Sequence, residues 1–106
     1  TVTMPLSYFQ HKEVHGVAGI GHPKRFFDSL AAHDIIVHPH DFTDHHQYLP
    51  DDLRFYDDLP ILMTEKDAVK CQSFAHRNMW YLPVEAKLDS PVFPAIHQIL
   101  KERSNG

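Results

Sequence analysis

The sequence predicts an α/β domain, a small three-layer sandwich in which a mostly parallel sheet of four strands carries helices on both faces. Short β-branched and apolar runs alternate with stretches whose apolar residues recur at i, i+3 and i+4. Glycine, proline and aspartate mark most of the joins. With 106 residues, 42% hydrophobic and 23% charged, the chain suits one folded domain rather than a disordered segment.

Each element follows from local chemistry. Val14 to Ala18 is the first predicted strand; Gly19 and Gly21 then permit a sharp turn, and Pro23 sits where a first helical residue needs no donor. The helix running to His33 places Phe26, Phe27, Leu30 and Ala31 on one face and leaves Lys24, Arg25 and Asp28 to water. Ile35-Ile36-Val37 is apolar and β-branched enough for a strand buried on both faces, ending near Pro39. Pro50-Asp51-Asp52 predicts a short helix with acidic groups at its positive end and Leu49, Leu53 and Tyr56 as its apolar side. Ile61-Leu62-Met63 is the next strand, and Thr64 caps a helix to Ala75 with Val69 and Phe74 facing inward. Trp80 to Val84 is the fourth strand, where Pro83 implies an edge or the end of pairing. Val92, Ile96, Ile99 and Leu100 suggest a last helical stripe. Residues 1–12 lack this pattern and are expected to be a connecting segment, 13–103 the single domain and 104–106 a flexible tail.

Composition excludes several partners. Lys and Arg number 10 against 14 acidic residues, and the basic residues are dispersed, so no nucleic-acid partner is expected. No apolar run reaches the roughly 18–20 residues that span a bilayer. The single cysteine, Cys71, cannot form an internal disulfide, which suits a reducing, cytoplasmic setting, and its helical position offers no evident base to make it a nucleophile.

The glycine turn matches neither familiar phosphate-binding pattern. From Gly19 the dinucleotide fingerprint requires glycine where Lys24 stands; from Gly16 the phosphate loop requires Lys and Ser or Thr where His22 and Pro23 stand. What remains is a strand-to-helix turn or an anion site of backbone donors helped by His22 or Arg25. The segment His38 to His46 holds four His and two Asp in nine positions. Imidazole and carboxylate suit zinc, but the spacing matches no regular metal motif, so these residues read as a solvated loop, a metal site or an acid–base pair. Thr64-Glu65-Lys66-Asp67 follows a strand, where open parallel sheets place ligand-contacting loops; Lys66, Glu65 and Asp67 face substrate or phosphate, or simply form a capped first turn.

Three segments in order, Ala18-Gly19-Ile20-Gly21-His22-Pro23 with Arg25-Phe26-Phe27, then Asp44-His45, then Met63 to Cys71, resemble the C-terminal lobe of the tetraacyldisaccharide 4'-kinase family, the lipid A kinases of Gram-negative bacteria. The resemblance runs from His15 to Val84 and includes Trp80-Tyr81-Leu82-Pro83-Val84. It implies a catalytic dyad in which His45, preceded by Asp44, reaches an aspartate on an N-terminal nucleotide-binding lobe. That aspartate deprotonates the 4'-hydroxyl of a lipid A precursor as it attacks ATP. It also implies that ATP and Mg2+ are bound mainly by that other lobe, that no cofactor and no metal belong to these residues alone, and that the complete enzyme works peripherally on the cytoplasmic side of the inner membrane. A family phosphate loop and magnesium-binding carboxylates are missing from the 106 residues, so transfer by this chain alone is not expected. The alternatives are a stand-alone metal- or anion-binding module and a non-catalytic interaction domain, in which Lys24, Arg25 and Phe26 or Phe27 would meet anionic lipid.

Overall fold

The computed structural model describes residues 2–84 and 94–101. Its centre is a sheet of six strands: β1 (Thr3–Pro5), β2 (Glu13–Ala18), β3 (Ile36–Asp41), β4 (Ile61–Thr64), β5 (Met79–Leu82) and β6 (Ala95–Gln98). Their order is β1-β6-β5-β4-β2-β3. β3, β2, β4 and β5 run parallel, with His15 beside both His38 and Ile61 and Leu62 beside Trp80. These are the four predicted strands. The sheet is nevertheless mixed, because β6 pairs antiparallel with β5 and β1 antiparallel with β6.

Both added strands lie where periodicity pointed elsewhere. Ile96 and Ile99 suggested a helix, but Ala95–Gln98 is a strand whose Ile96 is fully buried; Val92 lies outside the described residues, as does the predicted tail at 104–106. The first residues, predicted to be patternless, supply β1 and a 3-10 helix at Leu6–Phe9, and Leu6 and Phe9 are among the most buried side chains. A three-residue strand is too short to show alternation in sequence; only its pairing reveals it.

Side chains of β2 alternate between two cores. Val14 and Ala18 join Leu62, Trp80, Leu82 and Ile96 beneath α1 (Pro23–Ala32), which contributes Phe26 and Leu30. Val17, Ile61, Met63 and Met79 pack on the opposite face with Tyr48, Leu53 and the α2 region (Glu65–Ala68, continued as a 3-10 helix to Phe74), through Ala68 and Cys71. Helices thus cover both faces of the central strands, as a parallel sheet requires. Of the predicted α1 stripe, Ala31 is exposed, whereas Lys24, Arg25 and Asp28 face water as expected. The helix ends in a Schellman arrangement: Asp34 N–H meets Ala31 O at 3.0 Å, Ile35 N–H meets Leu30 O at 3.3 Å, and Asp34 takes the left-handed backbone (φ 62°).

Three other expectations change. β3 is a sheet edge rather than a doubly buried strand, so Ile36 is 51% exposed and Pro39, inside the strand, can lack its donor. Pro50–Leu53 is one 3-10 turn, with Leu53 buried but Leu49 and Tyr56 exposed. Val69 is exposed too, because the chain tightens from α2 into 3-10 geometry there and rotates it outward. Pro83 marks the end of pairing: β5 stops at Leu82 and is flanked by β4 and β6. Among the described residues, no helix is long and apolar enough to cross a membrane.

At Gly16 a Cβ would stand 2.8 Å from Val37 Cγ1 and 3.0 Å from the Phe27 ring. Gly16→Ala is therefore expected to destabilise the protein by about 1–3 kcal/mol through overpacking between α1 and the sheet, measured as the shift in urea midpoint at constant m.

Candidate functional site

The parallel strands all end on one rim, and the loops leaving them hold most of the residues singled out in the sequence. Gly19 to His22 follow β2, Phe42 to Leu49 follow β3, and Thr64 opens α2 after β4. Ligands of open α/β sheets lie outside the carboxyl ends of the strands, so this rim is the natural place for chemistry.

The middle loop is a tight turn. His46 N–H donates to Thr43 O at 3.1 Å, and between them His45 adopts φ 64°, a left-handed conformation that favours glycine. Asp44 Oδ1 accepts the His45 backbone N–H at 3.0 Å, and its two oxygens stand 3.7 Å from Lys66 Nζ and 3.7 Å from His45 Nε2. The His45 side chain is 81% exposed and projects from the rim. Behind the turn, the His46 ring stacks on Phe42 at 4.6 Å and its Nε2–H donates to Asp52 Oδ2, 2.9 Å away. Asp52 also accepts the Leu49 N–H at 2.9 Å, and this bond, then the one to His46, lowers its pKa. The turn is anchored from below and open above.

Beneath the rim lies Asp67, fully buried. Its Oδ2 accepts from Gly19 N–H at 3.0 Å and from Thr64 Oγ1 at 2.6 Å; its Oδ1 accepts from Tyr48 Oη at 3.1 Å. Thr64 Oγ1 in turn accepts Asp67 N–H at 3.2 Å, the predicted cap of α2. Burial first, then the Asp67 charge, pushes the Tyr48 phenol far above its ordinary range, so it stays a donor. Gly19 is needed for space rather than for a positive φ: a Cβ there would lie 2.9 Å from Tyr48 Oη and 3.2 Å from both Asp67 Oδ1 and Thr43 O.

The predicted residues thus separate into groups. Asp44, His45 and Lys66 come together on the rim. Asp67, expected to face substrate or phosphate, faces inward to three protein donors instead. Glu65 Oε1 accepts the Val84 N–H at 2.8 Å and ties α2 to the end of β5. His22 and Arg25 stand exposed at the start of α1, on the same end of the sheet, and neither makes a hydrogen bond or ion pair with the Asp44 group among the described residues. Cys71 is buried, and burial lifts its thiol to about 12, leaving no thiolate for nucleophilic work. Phe26 is buried in the core, which removes it from any lipid surface.

The four histidines of the 38–46 segment go to different partners. His38 pairs with Glu13 at 2.9 Å and His46 with Asp52, while His45 projects from the turn. His40 Nε2 lies 2.9 Å from His15 Nδ1, and His15 Nε2 meets the two oxygens of Asp57 at 3.0 and 2.8 Å. Phe55 stacks on both rings, at 4.1 and 4.2 Å. Among the described residues no cluster of three or more His, Cys, Asp or Glu is arranged to hold a metal ion. Neither Tyr48 nor the Asp57-His15-His40 relay was visible in the sequence, since each partner is remote along the chain; the parallel register of β2 with β3 was the one available signal.

Comparisons of the sequence with known proteins match the chain to one family. The family described as Tetraacyldisaccharide-1-P 4'-kinase matches residues 2–103. A "Tetraacyldisaccharide 4'-kinase" of Nitrosococcus oceani is 45% identical over 105 residues, covering 95% of this chain and 31% of the relative. Proteins of the same description from Stenotrophomonas maltophilia and Alcanivorax borkumensis are 55% and 58% identical over 82% and 74% of the chain, and 25% and 24% of their own lengths. The chain therefore spans less than a third of the curated relatives it matches. No solved structure gives a significant match.

The relay should make stability depend on pH. Burial first, then the nearby His15 and His38, lowers the His40 pKa below its usual 6.5. As pH falls through that usual value the unfolded chain takes up the proton first, so stability declines until the lowered folded value is passed. His40→Gln should flatten the fall in urea midpoint between about pH 7.5 and about pH 5.5.

Proposed function

Because the chain belongs to the tetraacyldisaccharide-1-P 4'-kinase family, we infer that it works as one lobe of a lipid A 4'-kinase, which transfers the γ-phosphoryl group of ATP to the 4'-hydroxyl of tetraacyldisaccharide 1-phosphate. Its contribution is His45. The observation that carries this is a solvent-facing imidazole held in left-handed backbone at the carboxyl end of a parallel sheet, beside Asp44 and Lys66. A non-glycine residue kept in that conformation costs of order 1 kcal/mol or more, and such strain persists where the side chain has work to do.

In the reaction, the His45 imidazole faces an aspartate of the nucleotide-binding lobe across the cleft and helps it take the proton of the 4'-hydroxyl. Asp44 stands near Nε2 and orients the ring, while its second oxygen keeps Lys66 at the rim, where an ammonium can meet phosphate. Phosphoryl transfer depends on positioning and charge stabilisation, so a lobe that supplies one proton-handling group and excludes water is chemically sufficient. The rim does not fit Mg2+: Asp44 is balanced by a cation, Glu65 is engaged by Val84 N–H, and Asp67 is enclosed. ATP and Mg2+ accordingly belong to the other lobe in this reading. His22 and Arg25, exposed at the same end, are placed to meet a phosphate of the lipid substrate, and the complete enzyme meets the membrane peripherally from the cytoplasmic side.

In the complete kinase, His45→Ala and His45→Gly should each lower 4'-phosphorylation by about 100-fold or more, as loss of a positioned acid–base group does; an undiminished rate removes His45 from the mechanism. The same pair tests the strain. His45→Gly should be more stable than His45→Ala by about 1 kcal/mol, because only glycine enters the left-handed region freely, read from thermal unfolding of the two variants.

A further inference from the structure

Asp67 is a buried carboxylate that the proposed chemistry does not use. An ionised group out of water is expensive unless fully hydrogen-bonded, and an apolar residue of similar volume often serves stability as well or better. Its location explains its use. The three groups that donate to it come from three different rim loops: Gly19 N–H after β2, Tyr48 Oη at the end of the loop after β3, and Thr64 Oγ1 at the end of β4.

Those loops carry the rim. The turn holding Asp44 and His45 begins at Thr43, whose carbonyl oxygen would stand 3.2 Å from a Cβ at Gly19, and the loop ends at Tyr48. The first turn of α2, capped by Thr64 and Asp67 on one another, holds Lys66 opposite Asp44. We propose that Asp67 is the positioning residue for His45: one carboxylate, through Tyr48 and Thr64, sets where the Asp44-His45 turn and Lys66 stand. Asp67 touches no substrate in this scheme and acts through its donors alone. The proposal rests on the assignment of His45 above.

The test is a double-mutant cycle in the complete kinase. Tyr48→Phe removes one donor while keeping the ring, and is measured in the presence of His45 and in a His45→Ala background with ATP and tetraacyldisaccharide 1-phosphate. With His45 present it should lower kcat about tenfold at unchanged KM for ATP; without His45 it should change kcat less than about twofold, since coupled residues are not additive. Thr64→Ser, which keeps the hydroxyl donor, should retain kcat, and Thr64→Val should lose it as Tyr48→Phe does. Equal losses in both backgrounds, or no loss with His45 present, would overturn the positioning role while leaving His45 catalytic. A His45→Ala enzyme of undiminished rate would instead overturn the catalytic assignment, and the positioning role with it. If Tyr48→Phe does not fold, the Thr64→Ser and Thr64→Val pair carries the same cycle.

Discussion

The rim of this domain depends on one buried negative charge. Asp67 has no contact with water, and its oxygens accept from a backbone amide, a phenol and a hydroxyl that lie 48, 19 and 3 residues away in sequence. Charge-assisted bonds of this kind are stronger and more directional than neutral ones, and leaving any of them unmade would strand a buried charge. The three loops therefore adopt their places together. Gly19 is part of the same constraint, because a side chain there would enter the space that Tyr48, Asp67 and Thr43 share.

Anchoring below the rim leaves the chemistry above it exposed. His46 is packed between Phe42, Tyr48 and Asp52, whereas the adjacent His45, itself in left-handed backbone, projects outward and among the described residues lies beside the Asp44 carboxylate. Two neighbouring histidines thus have opposite fates, one a packing element and one an open imidazole. The proposed role of His45 fits this division: a group meant to act on another surface cannot be enclosed by its own domain, so its backbone is held in place instead.

The histidines of the β2 and β3 strands resolve into paired groups. His15, His38 and His40 occupy one face of neighbouring strands because parallel pairing aligns positions of like parity, and Asp57 and Phe55 close over the first and last of them. In the neutral relay Asp57 accepts from His15, which then accepts from His40, so each proton has a place without a metal. The relay gives the β3 edge a polar interior where the sheet lacks apolar cover.

Local pattern was enough for the four parallel strands, α1 with its two buried aromatic and aliphatic anchors, and the Thr64 cap, because these depend on residues within a few positions of one another. The resemblance carried by Gly19, Asp44-His45 and Met63 to Cys71 was likewise legible, and pointed to the family the chain belongs to. Strands β1 and β6 were not, since each is held by a partner at the other end of the chain and β6 shares its apolar spacing with a helix. Asp67 shows the same limit at the site. Its position after Thr64 announced a helix start and a possible ligand contact, but whether a carboxylate faces solvent or the core depends on donors that only the tertiary fold brings to it. Sequence alone determined which chemistry was available, because residue types and short spacings set it; the tertiary structure decided which groups face outward, because burial and hydrogen-bond partners are properties of distant segments meeting.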